Sequence, residues 1–128
     1  WGFNCPMADI DFLAVEYNAG LPVAIVEYKQ KRTQKPDIQH PTYRALKMLA
    51  NRAGLPFMIV FYCDEIWWFH VYPINHIALK HYPKPVLMTE QEYVTSLYKL
   101  RSQCVETNII SKLNNVLEVQ SEQAHKTA

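Results

Sequence analysis

A chain of 128 residues is long enough for one compact domain and too short for two of ordinary size. With 49% hydrophobic and 20% charged residues and only three glycines, the composition is globular, which excludes a disordered or fibrous chain. A net charge of +1 favours no particular partner, so any case for nucleic acid has to come from local clustering.

Residues 1–8 (WGFNCPMA) read as an irregular lead-in. Asp9 to Tyr17 suits a strand, and Asn18-Ala19-Gly20 is a turn with glycine where a left-handed residue falls. Leu21 to Lys29 is a second strand rich in Val and Ile, followed by the basic loop QKRTQKPD. Ile38 to Ala53 places Leu46, Leu49, Ala50 and Ala53 at helical spacing, with Asp37 as N-cap, Pro41 in the first turn and Gly54 at the C-cap. The run PFMIVFYC, residues 56–63, is nearly continuously apolar, as a strand buried on both faces requires. Asp64-Glu65 turns into a further strand, IWWFHVY, and residues 73–85 read as a long connection.

Thr89 and Glu92 form a capping box that opens a helix with Tyr93, Leu97 and Leu100 on one side. A last amphipathic segment, residues 107–120, carries Ile109 or Ile110, Leu113 and Leu117, and residues 121–128 have nothing to bury and are expected to fray. The predicted order is β-β-α-β-β-α-α, a mixed α/β fold in a single domain spanning residues 1–120.

The first hairpin places charged side chains in apolar runs. With a three-residue loop, Tyr17 faces Leu21, Asp11 faces Glu27 and Asp9 faces Lys29. Strand alternation then puts Asp9, Asp11, Leu13 and Val15 on one face, together with Val23, Ile25, Glu27 and Lys29. Directly opposed Cβ atoms lie ~4.5–5.5 Å apart, and two carboxylates at that spacing repel unless a cation lies between them. Mg²⁺ suits such a pair, since it takes one or two carboxylates plus water and phosphate oxygens. A neighbouring lysine can orient or activate water or neutralise charge developing on phosphorus. The plain alternative is a rim ion pair between Asp9 and Lys29, worth under ~1 kcal/mol. Glu16 lies on the opposite face and is given no role.

The stretch DFLAVEYNAGLPVAIVEYKQ resembles the core of the PD-(D/E)xK nuclease superfamily, of restriction-endonuclease-like fold. Asp11 matches its first acid, Glu27 the second and Lys29 the lysine. QHPTY, Gln39 to Tyr43, is similar to the Q-x-x-x-Y element of RecB-like members; i, i+4 spacing puts both side chains on one face of a helix starting near Asp37. The resemblance covers residues 9–72. It implies a β-β-α-β-β core flanked by helices and Mg²⁺ held by Asp11, Glu27 and the main-chain carbonyl of Tyr28, with Mn²⁺ able to substitute. The PD dipeptide is absent, Met7-Ala8-Asp9 standing instead, so Asp9 competes with Asp11 as ligand. Many members carry a further helix, with an acid, before the first strand. The chain begins at Trp1 and has no such helix, which is expected to be missing or absent.

Lys31, Arg32 and Lys35, following Lys29, form the densest basic cluster and suit the phosphates flanking a scissile bond. Trp67, Trp68 and Phe69 are candidates for base stacking, though strand alternation would send at least one Trp into the core. His40, His70, His76 and His81 show no metal-ligand spacing with the cysteines. Cys5, Cys63 and Cys104 are odd in number and hold no C-x-x-C pair, which argues for a reducing, cytoplasmic setting. No apolar run approaches the ~18 residues of a membrane span, and no signal peptide is visible.

The function expected from the sequence is a Mg²⁺-dependent deoxyribonuclease acting on double-stranded or branched DNA. Asp11 and Glu27 hold the metal, Lys29 acts on water, and Gln39 and Tyr43 support the site. A homodimer is one expected arrangement. The competing expectation is a non-catalytic nucleic-acid- or protein-binding module on the same fold.

Overall fold

The computed structural model describes residues 7–30 and 36–106. Lys31, Arg32 and Lys35, the amphipathic segment 107–120 and the tail 121–128 lie outside the described residues. The elements are β1 (Phe12–Glu16), β2 (Leu21–Gln30), α1 (Pro41–Ala53), β3 (Phe57–Cys63), β4 (Trp68–Pro73), α2 (His76–His81) and β5 (Val86–Thr89). Residues 90–106 form a further helix, α3. The fold is α/β, with one five-stranded mixed sheet in the order β1-β2-β3-β4-β5. Only β2 and β3 pair in parallel; every other neighbour is antiparallel. A parallel pair needs a crossover connection, and α1 supplies it.

The two faces of the sheet carry separate cores. On the front, Leu46 and Ala50 of α1 pack with Ile25, Leu55, Phe57 and Ile59, and Tyr43, Phe61 and Tyr72 flank them. On the back, Val23, Ala24, Val26, Met58, Val60, Phe69 and Val71 meet Ala78 of α2 and Tyr93 and Leu100 of α3. The hydroxyls of Tyr28 and Tyr93 lie 2.6 Å apart, tying β2 to α3. Phe57 to Val60 are fully buried, as the apolar run of β3 predicts. The capping box forms, with Glu92 Oε1 accepting from the Thr89 hydroxyl at 3.0 Å and Thr89 Oγ1 accepting from the Glu92 N–H at 3.2 Å.

The hairpin register is the instructive departure. Glu16, not Tyr17, pairs with Leu21, so residues 17–20 make a four-residue turn with Gly20 at φ 65°. A β-bulge then absorbs the slip: Val15 pairs with Pro22 and Ala14 with Ala24, leaving Val23 as the extra residue. Val23 therefore joins Ala24 and Val26 in the back core instead of sharing a face with Ile25 and Glu27. Beyond the bulge Phe12 pairs with Val26, the register that sets Asp11 opposite Glu27. Glu16, given no role by sequence, pins the turn. It is 4% exposed, accepts from the Ala19 N–H at 2.6 Å and pairs with Arg101 of α3 at 3.3 Å.

Other boundaries shift for local reasons. β1 starts at Phe12, so Asp9 and Asp11 belong to the lead-in. α1 starts at Pro41 with His40, not Asp37, as N-cap, because a residue before proline is steered away from helical backbone. Leu49 and Ala53 are exposed, and Tyr43, Leu46 and Ala50 form the packed stripe. The β3–β4 turn extends through Ile66 and Trp67, and Trp67 takes a left-handed φ of 50°. Neither neighbouring Trp enters the core: Trp67 of the turn and Trp68 of β4 stay exposed, and Phe69 is the buried ring. Residues 73–85, expected as a connection, contain α2, and β5 follows; both are short, four residues in the case of β5.

Asn75, 1% exposed, joins three elements. Its Oδ1 accepts from the N–H groups of Phe57 (3.0 Å) and Ala78 (2.9 Å), and its Nδ2 donates to Leu55 O (2.7 Å) and Asn51 Oδ1 (3.1 Å). Asn75→Ala strands a buried N–H and a buried carbonyl and removes the α2 cap. We expect a loss of about 2–4 kcal/mol, read as a lower urea midpoint at unchanged slope.

Candidate functional site

β2 is ten residues long and outruns β1, whose first paired residue, Phe12, stands opposite Val26. Glu27, Tyr28 and Lys29 therefore occupy the segment of β2 where the β1 ladder ends. Alternation turns Glu27 and Lys29 to the front with Ile25, and Tyr28 to the back against Phe12 and Tyr93. The Tyr28 carbonyl, expected as a ligand from the family resemblance, lies on the chain between the two charged residues.

Asp11 and Glu27 come together. The Asp11 N–H donates to Glu27 Oε1 at 3.1 Å, and Glu27 as a residue is only 3% exposed. Burial is the main reason its carboxyl titrates above the ordinary range. The N–H bond opposes this rise, the Asp11 carboxyl adds to it by hydrogen bonding and by charge, and Lys29 lowers it. A carboxylate offers about four lone-pair positions, so one N–H bond leaves capacity for a cation. Asp9 is exposed in the lead-in, and the acids acting on Lys29 are Glu27 and Asp11.

α1 delivers Tyr43 to the same place. The Lys29 ammonium lies 5.8 Å from the centre of the Tyr43 ring, within cation–π range. The neighbouring Tyr43 side chain is the main cause of a lysine pKa raised above its usual value, with Glu27 and Asp11 contributing by charge. Lys29 is thus held as a cation, suited to pairing with negative charge rather than to taking a proton.

Gln39 is not brought to this cluster on a shared helix face. It stands in the turn before α1, its N–H bonded to Asp37 Oδ1 at 3.1 Å, and it lines an outer groove of about 290 Å³ with Arg44, Lys47 and Met48. Among the described residues no three His, Cys, Asp or Glu side chains gather into a metal-binding group, so the cluster offers two carboxylates and one lysine. Sequence reading passed over Phe61 and His70, which lie in register with Lys29 across β3 and β4. Strand register is the signal that finds them. Among the described residues no helix is long and apolar enough to cross a membrane.

Compared with protein-family models, curated proteins and solved structures, the chain matches none.

The raised Glu27 pKa gives a signed pH dependence. Below the ordinary value of about 4.5 both folded and unfolded states hold the proton. As pH rises from there through the raised folded value, the unfolded chain releases it first and the fold loses stability. In EDTA, the melting temperature of the wild type should fall through this window relative to Glu27→Gln, which keeps an oxygen for the Asp11 N–H. Parallel curves for the two proteins would refute the assignment.

Proposed function

We propose that this domain is a metal-dependent nuclease of restriction-endonuclease-like fold that hydrolyses phosphodiester bonds in DNA. The observation that carries this reading is the buried Glu27 carboxyl against Asp11, with Lys29 following on the same strand face. Burying the Glu27 carboxyl beside a second, exposed acid is unfavourable in the absence of a cation, and a scaffold gains nothing from it.

The donor set fits Mg²⁺: hard oxygen ligands from Asp11 and Glu27, with the Tyr28 carbonyl between Glu27 and Lys29 as a third. When bound, the ion supplies Lewis-acid polarisation of the phosphate and a more acidic water. The protein's own groups do the rest. Glu27, shielded from solvent and fixed by the Asp11 N–H, gives the site its rigid wall. Lys29, held cationic and braced by Tyr43, orients the attacking water and offsets the charge that grows on the phosphoryl oxygens. The water oxygen bonds to phosphorus as the ester P–O bond breaks; the water gives up one proton to solvent and the departing oxygen takes one up from solvent, so the step balances. Lys31, Arg32 and Lys35 follow Lys29 directly in the chain and suit the flanking phosphates.

The test is cleavage of supercoiled and linear DNA with Mg²⁺ or Mn²⁺. We expect metal-dependent cutting that falls on the order of 10²-fold or more in Lys29→Ala and is abolished in Glu27→Ala. Nicking of the circle identifies endonuclease action. No cutting, together with no calorimetric Mn²⁺ binding, would reject the nuclease and leave a binding module on this fold.

A further inference from the structure

The front face of the sheet continues past the site. Register runs from Glu27 through Ile59 to Tyr72, and from Lys29 through Phe61 and His70 to Leu87. One pair further along the strands, Cys63 stands opposite Trp68, which is opposite Thr89. Directly paired residues share a face, so Tyr72, His70 and Trp68 form a file on β4 parallel to Glu27 and Lys29 on β2. From the strand spacing and the rise per residue, Tyr72 stands about 10 Å from Glu27, His70 about 10 Å from Lys29 and Trp68 roughly 12 Å from Lys29.

The file is graded in exposure. Tyr72 packs on the front core, edge to face with Phe61 at 5.6 Å. His70 is half-buried, its ring 4.5 Å from that of Tyr72 and its Nδ1 3.4 Å from the Tyr72 hydroxyl. Trp68 is exposed at the outer end. Beside it the chain turns through Trp67, which takes a left-handed backbone that a non-glycine residue adopts only under strain. That turn is closed by the Trp67 N–H donating to Cys63 O at 2.8 Å, and the Trp67 indole stacks on Phe69 at 6.2 Å, on the back face. The two neighbouring indoles are thus divided between the faces, leaving Trp68 for the front.

We infer that Tyr72, His70 and Trp68 form a stacking track for unpaired bases, so that the substrate strand is open beside the phosphate at Asp11, Glu27 and Lys29. This deepens the nuclease reading and rests on it. An exposed indole at Trp68, continued inward by the half-buried His70 and Tyr72, suits the faces of bases, which stack without regard to sequence. A duplex hides those faces, so this chemistry selects a single strand or the unpaired arm of a branched DNA. Charge agrees: Lys29 stands level with His70 in the middle of the track, while Asp64 and Glu65 are exposed on the β3–β4 turn beyond Trp68. The acidic turn disfavours a phosphate there and directs bases, not backbone, toward Trp68.

The test uses the full chain in EDTA, where cutting is stopped. Binding is followed by tryptophan fluorescence with short oligothymidylate, the same length of abasic strand, and a duplex. We expect quenching by oligothymidylate and weaker binding of the abasic strand and the duplex. Trp68→Leu should weaken oligothymidylate binding about 10-fold without affecting the abasic strand. Trp68→Phe should restore most of the loss, and Trp67→Leu, on the other face, should keep the preference. Thermal melts establish that each variant folds. Equal affinity for abasic and thymidylate strands, tighter binding of duplex, or an unchanged Trp68→Leu would overturn the track while leaving metal-dependent cleavage standing. No binding of any of the three, with no cleavage of DNA, would overturn the nuclease reading as well.

Discussion

Parallel pairing of β2 with β3 is the constraint on which the rest of this fold depends. Two parallel neighbours cannot be joined by a tight turn, so the chain must cross over the sheet, and here it does so as α1. That crossover buries the front of β2 and β3, leaves β3 apolar along its whole length, and starts α1 close to the end of β2. Tyr43 reaches Lys29 because a helix returning over this sheet has its first turn there. Asn75 then ties the far end of α1 to the starts of β3 and α2 through four hydrogen bonds, so both ends of the crossover are fixed.

Within that frame β2 divides its labour by alternation. Val26 and Tyr28 hold the back layer, Tyr28 through a 2.6 Å hydroxyl contact with Tyr93, while Ile25 anchors the front. Glu27 and Lys29 continue the front file past the end of β1, where the core has no further need of apolar side chains. Burial raises the Glu27 pKa, and Tyr43 holds Lys29 charged; the two groups are pushed toward opposite roles by different neighbours. A buried carboxyl and an ammonium thus stand on one strand face, two residues apart. The Asp11 N–H connects that set to the lead-in, so the approach of residues 9–11 affects the site even though no strand forms there.

The pattern of what was legible follows the range of the interactions. Strong local codes read correctly: the glycine turns at Gly20 and Gly54, the Thr89–Glu92 box, the unbroken apolar run of β3 and the Tyr93–Leu100 side of α3. Asp11 opposite Glu27 was also legible, although the turn is one residue longer than the loop chemistry suggested, because the bulge at Val23 absorbed the difference. Short elements escaped. The four residues of β5 exist as a strand only because β4 offers an edge, and α2 is a six-residue helix capped by a buried Asn75.

The sequence alone determined the glycine turns, the capping box, the buried run of β3 and the placing of Asp11 opposite Glu27, since turn preference, capping and alternation act over a few residues. Tertiary structure decided the rest. It gave Glu16 a partner in Arg101, far away in the chain. It also brought β4 into register with β2, so that Trp68 and His70 share a face with Lys29. Register between strands that are not sequence neighbours is fixed by packing over the whole sheet, and no local pattern encodes it.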